Sequence, residues 1–530
     1  MKKLFFLALF LFVFLQLHAQ EWTEIQKILS SDITQSDAFG CSVSISGDYA
    51  IVGAYAQDFD TAGNNTKYWA GAAYIFKRNK QGNWNQTQKL IASDRAKDDF
   101  FGNAVSIHGD YAIVGAVYED EDESGINVKN NAGSAYIFEK DENEQWEEVQ
   151  KIVASDRDAE DNFACALSIH GDFVVIGAKN ESEDVAGNNT QLRAGSAYIF
   201  KRGQNGVWIE TQKLVTSDRK LYDEFGNSLC MTDQFIIFGT RDEEEDENGS
   251  FTLSHAGSAY IFEKAANDYW FEAQKIVASD RSVDDFFGYS AAISGNYAVV
   301  GAAHEDHSIY GTHYLEKAGS VYIFEKDGDE DWTQVQKIVA PDRIADVRFG
   351  SSVAIDGNTI LVGEFRDTSK PTKGLVYIIK RSLTGEWSHL ETIVSSDIED
   401  GDLFGEAISI DKKHAIVGAI SSNFAHGHLE RTTGQAYIFE TTTVGIEQNG
   451  LSDKFTIYPN PTKGQIIIDL GREYKDVKVN LRNVVGQLVL AKTYEKNQFI
   501  NLDIDGLSGF YLLEISTNKN QTAIYKICKE

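Results

Sequence analysis

Cysteine is scarce in this chain of 530 residues, which contains only four. Cys41, Cys165, Cys230 and Cys528 form no Cys-x-x-Cys pair and no closely spaced framework, so they predict neither a disulfide-stapled fold nor a metal site. Cys41 and Cys165 occupy the same place in two internal repeats that are not neighbours, which indicates buried small residues. A chain of this length can be stabilised by its hydrophobic core alone.

Long apolar segments are missing beyond the N-terminus, so no later part of the sequence predicts a membrane-spanning helix. At the N-terminus, Lys2 and Lys3 precede an apolar run over residues 4–17, and Ala19 supplies a small residue for cleavage. This order predicts a secretory signal peptide over residues 1–20. The run is too short to span a bilayer comfortably, which argues against a membrane anchor.

Positive charge is in deficit, and the formal net charge is −31. Such a surface would repel phosphate backbones, which argues against nucleic acid as a partner. It suits solubility, divalent cations or basic partners. Most of these charged side chains are expected to be solvated surface residues without a specific partner.

Internal repeats account for most of the sequence. A tryptophan recurs at a step of 62 residues and finally of 55, at Trp22, Trp84, Trp146, Trp208, Trp270, Trp332 and Trp387. A Phe-Gly pair keeps the same spacing from Phe39 to Phe404. This spacing predicts seven equivalent units.

Each unit contains four short apolar segments that alternate as β-strands do, first at residues 42–45, 49–52, 73–76 and 84–91. The two-residue link Gly-Asp at 47–48 is typical of a tight hairpin, and similar links recur in later units. Helical periodicity is absent from the repeats. Each unit is therefore predicted to be a four-stranded antiparallel meander.

The two ends of the repeat region favour a closed ring over an open solenoid. The region opens with a lone fourth strand at 22–29 and closes with a third strand at 437–439 that no fourth strand follows. The first segment can complete the last sheet. An open solenoid would not need this offset between its two ends. The predicted fold is all-β: a seven-bladed β-propeller whose N-terminal strand closes the last blade, followed by a small C-terminal β-sandwich.

The segments Asp-Ala-Phe-Gly at 37–40, Ser-Val-Ser-Ile at 42–45 and Val-Gly-Ala at 52–54 resemble the FG-GAP repeat. That repeat builds the propeller of integrin α-subunit heads and of many bacterial surface proteins, and the resemblance covers residues 21–440. It implies that the phenylalanine packs between blades while the glycine lets two backbones approach. Three copies depart from the pattern, at Phe163-Ala164, Gly239-Thr240 and Gly363-Glu364.

The resemblance also implies a Ca²⁺ loop between the first two strands in many family members. Here that connection is a two-residue turn, which cannot supply the six to eight oxygen ligands that Ca²⁺ takes, so the usual family metal site is expected to be missing. The recurring tyrosines and tryptophans are interpreted as core packing. Trp69 lies outside the repeat position and is the one loop aromatic of interest.

Acidic residues concentrate in the link between the second and third strands. Four aspartates stand there 62 residues apart, each followed three places later by glycine: Asp60, Asp122, Asp184 and Asp246. Because this link and the fourth-to-first link leave a meander on the same face, one acidic face is predicted, and it is the candidate ligand-binding face. The aspartate of each Ser-Asp-Arg in the fourth-to-first link, such as Asp94, is expected to pair with its own arginine or to cap a turn.

Two interpretations of these carboxylates stay open. One is weak Ca²⁺ binding that orders the loops, with Asp120 and Asp122 or Glu244 and Asp246 as ligands. The other, which we favour, is an Asp-x-x-Gly turn with solvated neighbours. No cofactor other than Ca²⁺ is suggested.

The C-terminal region changes in composition after a polar linker at 441–454. Residues 455–530 carry predicted strands at 465–470, 477–481 and 507–513 and a hairpin at 483–489. They resemble the type A sorting domain of the type IX secretion system of Bacteroidetes, through a motif formed by Tyr458, Pro459, Asn460, Pro461, Gly464 and Gly486. The resemblance implies interaction with that secretion machinery and a secreted or outer-membrane surface location. It also implies removal of the domain with attachment to surface lipopolysaccharide.

No catalytic motif of the G-x-S-x-G, H-E-x-x-H or P-loop type occurs. His304, His307 and His313 could bind a transition metal, although a solvated polar loop is the favoured interpretation. The expected function is a non-catalytic binding or adhesion propeller that presents its loops to an extracellular protein or glycan. A polysaccharide-active enzyme and a passive surface-layer component remain the alternatives.

Overall fold

The computed structural model divides the chain into two compact units, Met1–Thr442 and Thr443–Glu530. It describes residues 22–32, 34, 36–309, 311, 313–328, 331–364, 373–382, 384–397, 401–420, 422–425, 428–431, 433–441, 455–458, 462–483, 488–504, 509–517 and 522–529. All regular elements within these ranges are β-strands. No helix of the described residues is long and apolar enough to cross a membrane. The predicted signal peptide at 1–20 and the predicted linker beyond Thr441 lie outside these ranges.

The first unit contains strands of four to eight residues that follow the repeat. In chain order they are β1 (Trp22–Ile28), β2 (Val43–Ser46), β3 (Tyr49–Ala54), β4 (Ala72–Arg78), β5 (Trp84–Leu90), β6 (Phe101–His108), β7 (Tyr111–Ala116), β8 (Ser134–Lys140), β9 (Trp146–Ile152), β10 (Phe163–His170), β11 (Phe173–Ala178), β12 (Ser196–Arg202), β13 (Trp208–Leu214), β14 (Ser228–Met231), β15 (Phe235–Thr240), β16 (Ser258–Lys264), β17 (Trp270–Ile276), β18 (Phe287–Ser294), β19 (Tyr297–Ala302), β20 (Ser320–Lys326), β21 (Trp332–Ile338), β22 (Phe349–Asp356), β23 (Thr359–Glu364), β24 (Leu375–Arg381), β25 (Trp387–Ile393), β26 (Phe404–Asp411), β27 (His414–Ala419), β28 (Ser422–Ala425), β29 (His428–Arg431) and β30 (Gln435–Thr441).

Seven four-stranded antiparallel sheets result, and we number them as blades. Blade 1 consists of β2 to β5, and blades 2 to 6 take the next four strands each, up to β25. Blade 7 has the order β1-β30-β27-β26, while β28 and β29 form a separate hairpin. The sequence prediction of seven four-stranded meanders is confirmed.

Strand β1 completes the last blade, as the offset ends of the repeat region predict. It pairs antiparallel with β30, from Trp22 opposite Thr441 to Ile28 opposite Ala436. On the other side of the junction, β2 packs against β26 and β27, and Phe39 forms a bridge with Gly434. Blade 7 therefore contacts blade 1, and the sheets form a closed ring.

Aromatic packing joins each blade to the next. Phe101, the first residue of β6, is fully buried in a core shared with Ile51 and Ala73 of blade 1, and it meets the rings of Tyr136 and Phe138 of its own blade at 5.4 and 6.2 Å. A Cβ added to the following Gly102 would lie 2.3 Å from the carbonyl oxygen of Ala72 in blade 1, so only glycine permits this approach without a shift. The Phe-Gly pair therefore has the architectural role that the resemblance implies.

A reciprocal side-chain clamp links the outermost strands of neighbouring blades. Gln88 donates from Nε2 to the carbonyl of Trp146 at 2.6 Å and accepts from its N–H at 2.8 Å. The same clamp recurs at Gln26–Trp84, Gln150–Trp208, Gln212–Trp270, Gln274–Trp332 and Gln336–Trp387. At the ring closure Glu391 replaces glutamine and accepts from the N–H of Trp22 at 2.5 Å.

Serine hydroxyls satisfy backbone groups on the innermost strands. Ser42 Oγ accepts from the N–H of Val105 at 3.0 Å, and Ser44 Oγ accepts from the N–H of Ile107 at 3.1 Å. Equivalent bonds join Ser106 to Ile169, Ser168 to Met231, Ser228 to Ala291 and Ser409 to Ile45. These donors at the inner sheet edges are thereby unavailable for pairing with another chain.

The second unit is one five-stranded sheet built from β31 (Thr456–Tyr458), β32 (Gln465–Asn483), β33 (Leu488–Asp503), β34 (Gly509–Ser516) and β35 (Thr522–Lys529). The predicted strands at 465–470 and 477–481 are two parts of β32, which pairs with β31 and β33 near its start and with β33 and β34 near its end.

The last strand of the second unit lies beside the first residues of that unit. Tyr525 donates from its hydroxyl to the carbonyl of Phe455 at 3.3 Å, and Thr462 forms a bridge with Lys529. Alternate residues of β32, including Ile466, Ile468, Val477 and Val479, are buried in one apolar core. The unit thus folds over its own core.

Ala164 offers a test of the Phe-Gly geometry. It replaces the glycine of the other blades and adopts the left-handed region with φ +66°, which is unfavourable for alanine. We expect Ala164→Gly to raise the free energy of unfolding by about 1 kcal/mol, measured by urea denaturation. The matched change Gly102→Ala should lower it. A loss of stability in Ala164→Gly would contradict this account.

Candidate functional site

The link between the second and third strands of a blade and the link between neighbouring blades meet on one face, as the sequence predicts. Arg95, in the link between blades 1 and 2, donates from Nη1 to the carbonyl of Asn65 and from Nη2 to the carbonyl of Asp58, both at 2.8 Å. We call this side of the ring the loop face, formed in blade 1 by residues 55–71 and 91–100 and elsewhere by their equivalents. The shorter turns lie on the other side, where Lys140 pairs with Asp110 at 2.7 Å.

Each of the four predicted aspartates caps its own loop. Asp60 Oδ1 accepts from the N–H groups of Ala62 at 2.9 Å and Asn64 at 2.8 Å. Asp122, Asp184 and Asp246 accept from the N–H groups two and four residues later in the same way. The N–H of Asn64 is the main cause that lowers the pKa of Asp60. The geometry is that of the Asp-x-x-Gly turn, and contact with a ligand remains a prediction for these residues.

In these loops an arginine already binds backbone carbonyl oxygens that a metal cation would need as ligands. Arg157 donates from Nη2 to the carbonyl of Asp120 at 2.8 Å and from Nη1 to that of Asn127 at 2.7 Å. In the same way, the carbonyl of Glu244 accepts from Arg281 Nη2 at 2.7 Å. A positive group therefore already orders the loops that carry the Ca²⁺ candidates Asp120, Asp122, Glu244 and Asp246, whose metal binding stays a prediction.

The Ca²⁺ loop that the FG-GAP resemblance implies has no room in the structure. The connection between β2 and β3 is the turn Gly47-Asp48, and the N–H of Gly47 donates to Asp411 of blade 7 at 2.5 Å. A turn of this length cannot provide the ligands that Ca²⁺ requires. The residues present do not fit the metal.

The aspartate of Ser-Asp-Arg pairs with the following blade, so the expectation that it pairs with its own arginine or caps a turn was wrong. Asp94 accepts from the hydroxyl of Tyr136 at 2.8 Å and from Lys151 Nζ at 2.7 Å. Its neighbour Arg95 instead reaches back to the loop of blade 1. The same trio recurs as Asp32–Tyr74–Lys89, Asp156–Tyr198–Lys213, Asp218–Tyr260–Lys275, Asp280–Tyr322–Lys337 and Asp397–Tyr437–Lys27.

A second layer of carboxyl groups is buried beneath this trio and was not singled out from the sequence. In blade 2, Glu119 is 2% exposed and Asp99 is 4% exposed. Glu119 accepts from the hydroxyl of Tyr136 at 3.1 Å and lies 3.4 Å from Lys151 Nζ. Burial is the main cause that raises the pKa of both carboxyl groups. The available signal was the aspartate two places before most Phe-Gly pairs, as at Asp37.

Among the described residues, one set of carboxylates converges as metal ligands would. Oxygen atoms of Asp218, Glu243 and Glu245 lie within 4.8 Å of one another. Lys275 Nζ lies 2.7 Å from Asp218 and 3.0 Å from Glu243, and Lys220 contacts Glu245. Two ammonium groups of this chain thus already pair with the three carboxyl groups of the set.

The histidines considered as transition-metal ligands face different surroundings. His304 meets the ring of Phe286 at 4.6 Å and that of Tyr289 at 6.5 Å, and burial lowers its pKa to about 4. His307 instead meets Tyr314 at 5.8 Å. This arrangement favours the interpretation of a polar loop.

One sector of the loop face exposes aromatic rings. Tyr68 and Trp69 stack with their centroids 4.5 Å apart, and Trp69 meets Phe100 edge-on at 5.4 Å. Phe100 also stacks on Tyr55 at 5.0 Å and meets Tyr118 at 4.8 Å. At the place of Trp69, the next four blades have Asn131, Arg193, His255 and Lys317. The blades thus share a framework but differ at the surface of this face.

The sorting motif is described only in part. Tyr458 ends β31 and is exposed, and the carbonyl of Gly464 accepts from the N–H of Ile504 at 2.6 Å. Pro459, Asn460, Pro461 and Gly486 lie outside the described residues.

Comparison with protein families gives two matches. The FG-GAP repeat matches residues 22–76, 84–138, 146–200, 208–262, 270–324, 332–379 and 387–439. The secretion system C-terminal sorting domain matches residues 456–530. No curated protein matches the chain.

The buried carboxyl groups predict how stability depends on pH. Burial raises the pKa of Asp285 from 3.8 to about 7, with Glu305 and Asp280 raising it further and Lys337 opposing. Between those values the folded protein holds a proton that the unfolded chain releases, so stability falls as the pH rises toward 7. We expect Asp285→Asn to raise the free energy of unfolding at pH 8 by roughly 2 kcal/mol and to change it little at pH 4.

Urea denaturation across this pH range measures the effect. The exposed Asp60 has a pKa lowered from 3.8, so its contribution to stability changes mainly below pH 4. Asp60→Asn is therefore a control whose effect on the free energy of unfolding should stay nearly constant between pH 4 and pH 8. Equal pH profiles for the original chain and Asp285→Asn would refute the assignment.

Proposed function

The chain belongs to the FG-GAP repeat family, and from this membership together with its type IX sorting domain we propose that it is a non-catalytic binding or adhesion propeller. The sorting domain indicates secretion to the cell surface or the extracellular space. The propeller would present its loop face to an extracellular protein or glycan there.

The observation that carries this proposal is the contrast between a repeated framework and a varied loop face. The clamp of Gln88 on Trp146 and the trio around Asp94 recur around the ring. Positions such as Trp69 and Phe100 instead carry different residue types in different blades. A rigid scaffold with varied loops is the usual arrangement of a binding protein.

The acidic residues give the enzyme alternative no specific support. A glycosidase needs two carboxyl groups that reach the scissile bond from opposite sides. Here Asp60 caps its own loop, Asp94 bonds to Tyr136 and Lys151, and Glu119 is buried beneath them. These carboxyl groups have structural partners, which supports binding over turnover.

The first test concerns export. The C-terminal unit has its own apolar core, so removal of Thr443–Glu530 should leave the propeller folded. We expect the truncated protein to remain inside the outer membrane while the full chain reaches the surface or the medium. Protease accessibility on intact cells measures this, and an unchanged melting temperature of the truncated protein is the control. Surface exposure of the truncated protein would contradict the assignment.

The second test concerns binding. The secreted full-length chain is applied to an array of extracellular glycans and proteins, and bound probes are assayed for release of reducing sugar ends. Binding without release is expected, because the carboxyl groups considered above already have partners within the chain: Asp94 bonds to Tyr136 and Lys151, and the converging set of Asp218, Glu243 and Glu245 pairs with two lysines. Release of reducing ends would support the enzyme alternative, and binding to neither class of probe would overturn the proposal.

A further inference from the structure

Trp69 differs from the other tryptophans of the chain. The chain has eight, all within the described ranges, and seven of them begin outermost strands and are at most 3% exposed. Trp69 is 36% exposed and lies in the loop between β3 and β4. Its ring is therefore not required for the core that holds the blades together.

The backbone at this place is unfavourable for bulky side chains. Trp69 has φ +54° and Phe100 has φ +59°, in the left-handed region where aromatic residues are rare. Asp58 Oδ1 accepts from the N–H of Trp69 at 2.8 Å, and the N–H of Phe100 donates to the carbonyl of Trp69 at 3.1 Å. The same conformation recurs at His255 and Phe286 of blade 4, where the N–H of Phe286 donates to the carbonyl of His255 at 3.0 Å. The repeat framework therefore fixes the backbone at this place, and blade 1 carries two aromatic residues on it.

Five rings from four chain segments form one surface, which we call the aromatic platform: Tyr55, Tyr68, Trp69, Phe100 and Tyr118. Tyr68 and Trp69 are within 24° of parallel, and Tyr55 and Phe100 within 20°. Tyr68 and Tyr118 are exposed by 49% and 37%. Tyr68, Trp69 and Tyr118 thus offer exposed aromatic surface, while Tyr68 and Trp69 cover one face of each other.

Polar groups lie at the edge of the platform. The N–H of Asp98 donates to the carbonyl of Tyr68 at 2.9 Å, which holds this residue beside the rings. Its carboxylate pairs with Lys97 at 3.1 Å, and both side chains are well exposed. One hydrogen-bond acceptor and one donor group therefore accompany the ring faces.

We propose that the aromatic platform binds a neutral polysaccharide by stacking sugar rings on Tyr68 and Trp69. A pyranose has an apolar face of C–H groups and a rim of hydroxyls, which match the aromatic faces and the Lys97–Asp98 edge. The net charge of −31 disfavours an anionic polysaccharide. This inference rests on the proposed binding function and names the ligand class of its loop face.

The experiment uses the secreted full-length chain and soluble probes. Hydroxyethyl cellulose, mannan and dextran represent neutral polysaccharides, and alginate represents an anionic one. In affinity gel electrophoresis we expect retardation by at least one neutral probe and none by alginate. Because Trp69 is the exposed tryptophan, the same probe should reduce acrylamide quenching of the intrinsic fluorescence.

Variants assign the effect to the platform. Trp69→Ala and Tyr68→Ala should each weaken retardation at least tenfold, and unchanged thermal melting would exclude misfolding. Phe251→Ala removes an aromatic side chain that is 73% exposed on the loop face of blade 4, and Tyr269→Ala removes one that is 55% exposed on the opposite side. Both controls should keep full retardation.

The outcomes separate this inference from the proposed function. Retardation that persists in both platform variants, equal binding of alginate, or capture of a protein at the platform would overturn the polysaccharide inference while leaving the binding function standing. Absence of binding to every glycan and protein probe would overturn both. Loss of retardation in the two platform variants, with full retardation in the two control variants, supports the inference.

Discussion

A single four-stranded sheet cannot cover its own two apolar faces, so each blade must be buried between two neighbouring blades. The core between blades 1 and 2 shows this, since Ile51 and Ala73 of one pack with Phe101 and Tyr136 of the other. A row of such sheets would leave apolar faces exposed at both ends. Closing the ring removes both exposed faces.

The N-terminal strand carries this closure through three side chains. Trp22 is buried in the core shared by blades 6 and 7, and Gln26 clamps the backbone of Trp84 in blade 1. Lys27 bonds to Asp397 and so completes in blade 7 the trio that other blades form within a continuous segment. The strand thus repeats the main contacts of an ordinary outermost strand, although more than 400 residues separate it from its partner β30.

The loop face depends on the same ring, because its charged residues mostly bind the framework. Arg95 holds the preceding loop by its carbonyls while Asp94 bonds to the following blade. Buried carboxyl groups such as Asp99 lie below and retain protons more readily than exposed ones. What distinguishes one blade from another is therefore the variable surface above them, where Trp69 lies in blade 1 and Arg193 or Lys317 lies in other blades.

Much of this architecture could be predicted, and the errors have identifiable causes. The strands matched because alternation and Gly-Asp turns are local properties of the sequence. Asp94 was assigned to Arg95 because they are adjacent in sequence, whereas Asp94 lies in a turn from which its side chain reaches the following blade while Arg95 reaches the preceding one. The segments at 465–470 and 477–481 were separated by polar residues, yet β32 continues through them because partner strands pair with both parts.

The sequence by itself determined the number of blades, their strand order and the need for β1 to close the ring, since repetition and missing strands are visible in one dimension. Only the tertiary structure decided which residues meet on the loop face. Tyr68 and Trp69 stand about 30 residues from Phe100 and about 50 from Tyr118, and the platform exists because blades 1 and 2 bring those loops together. The protonation of Asp99 likewise depends on burial and on Glu119, which no local pattern encodes.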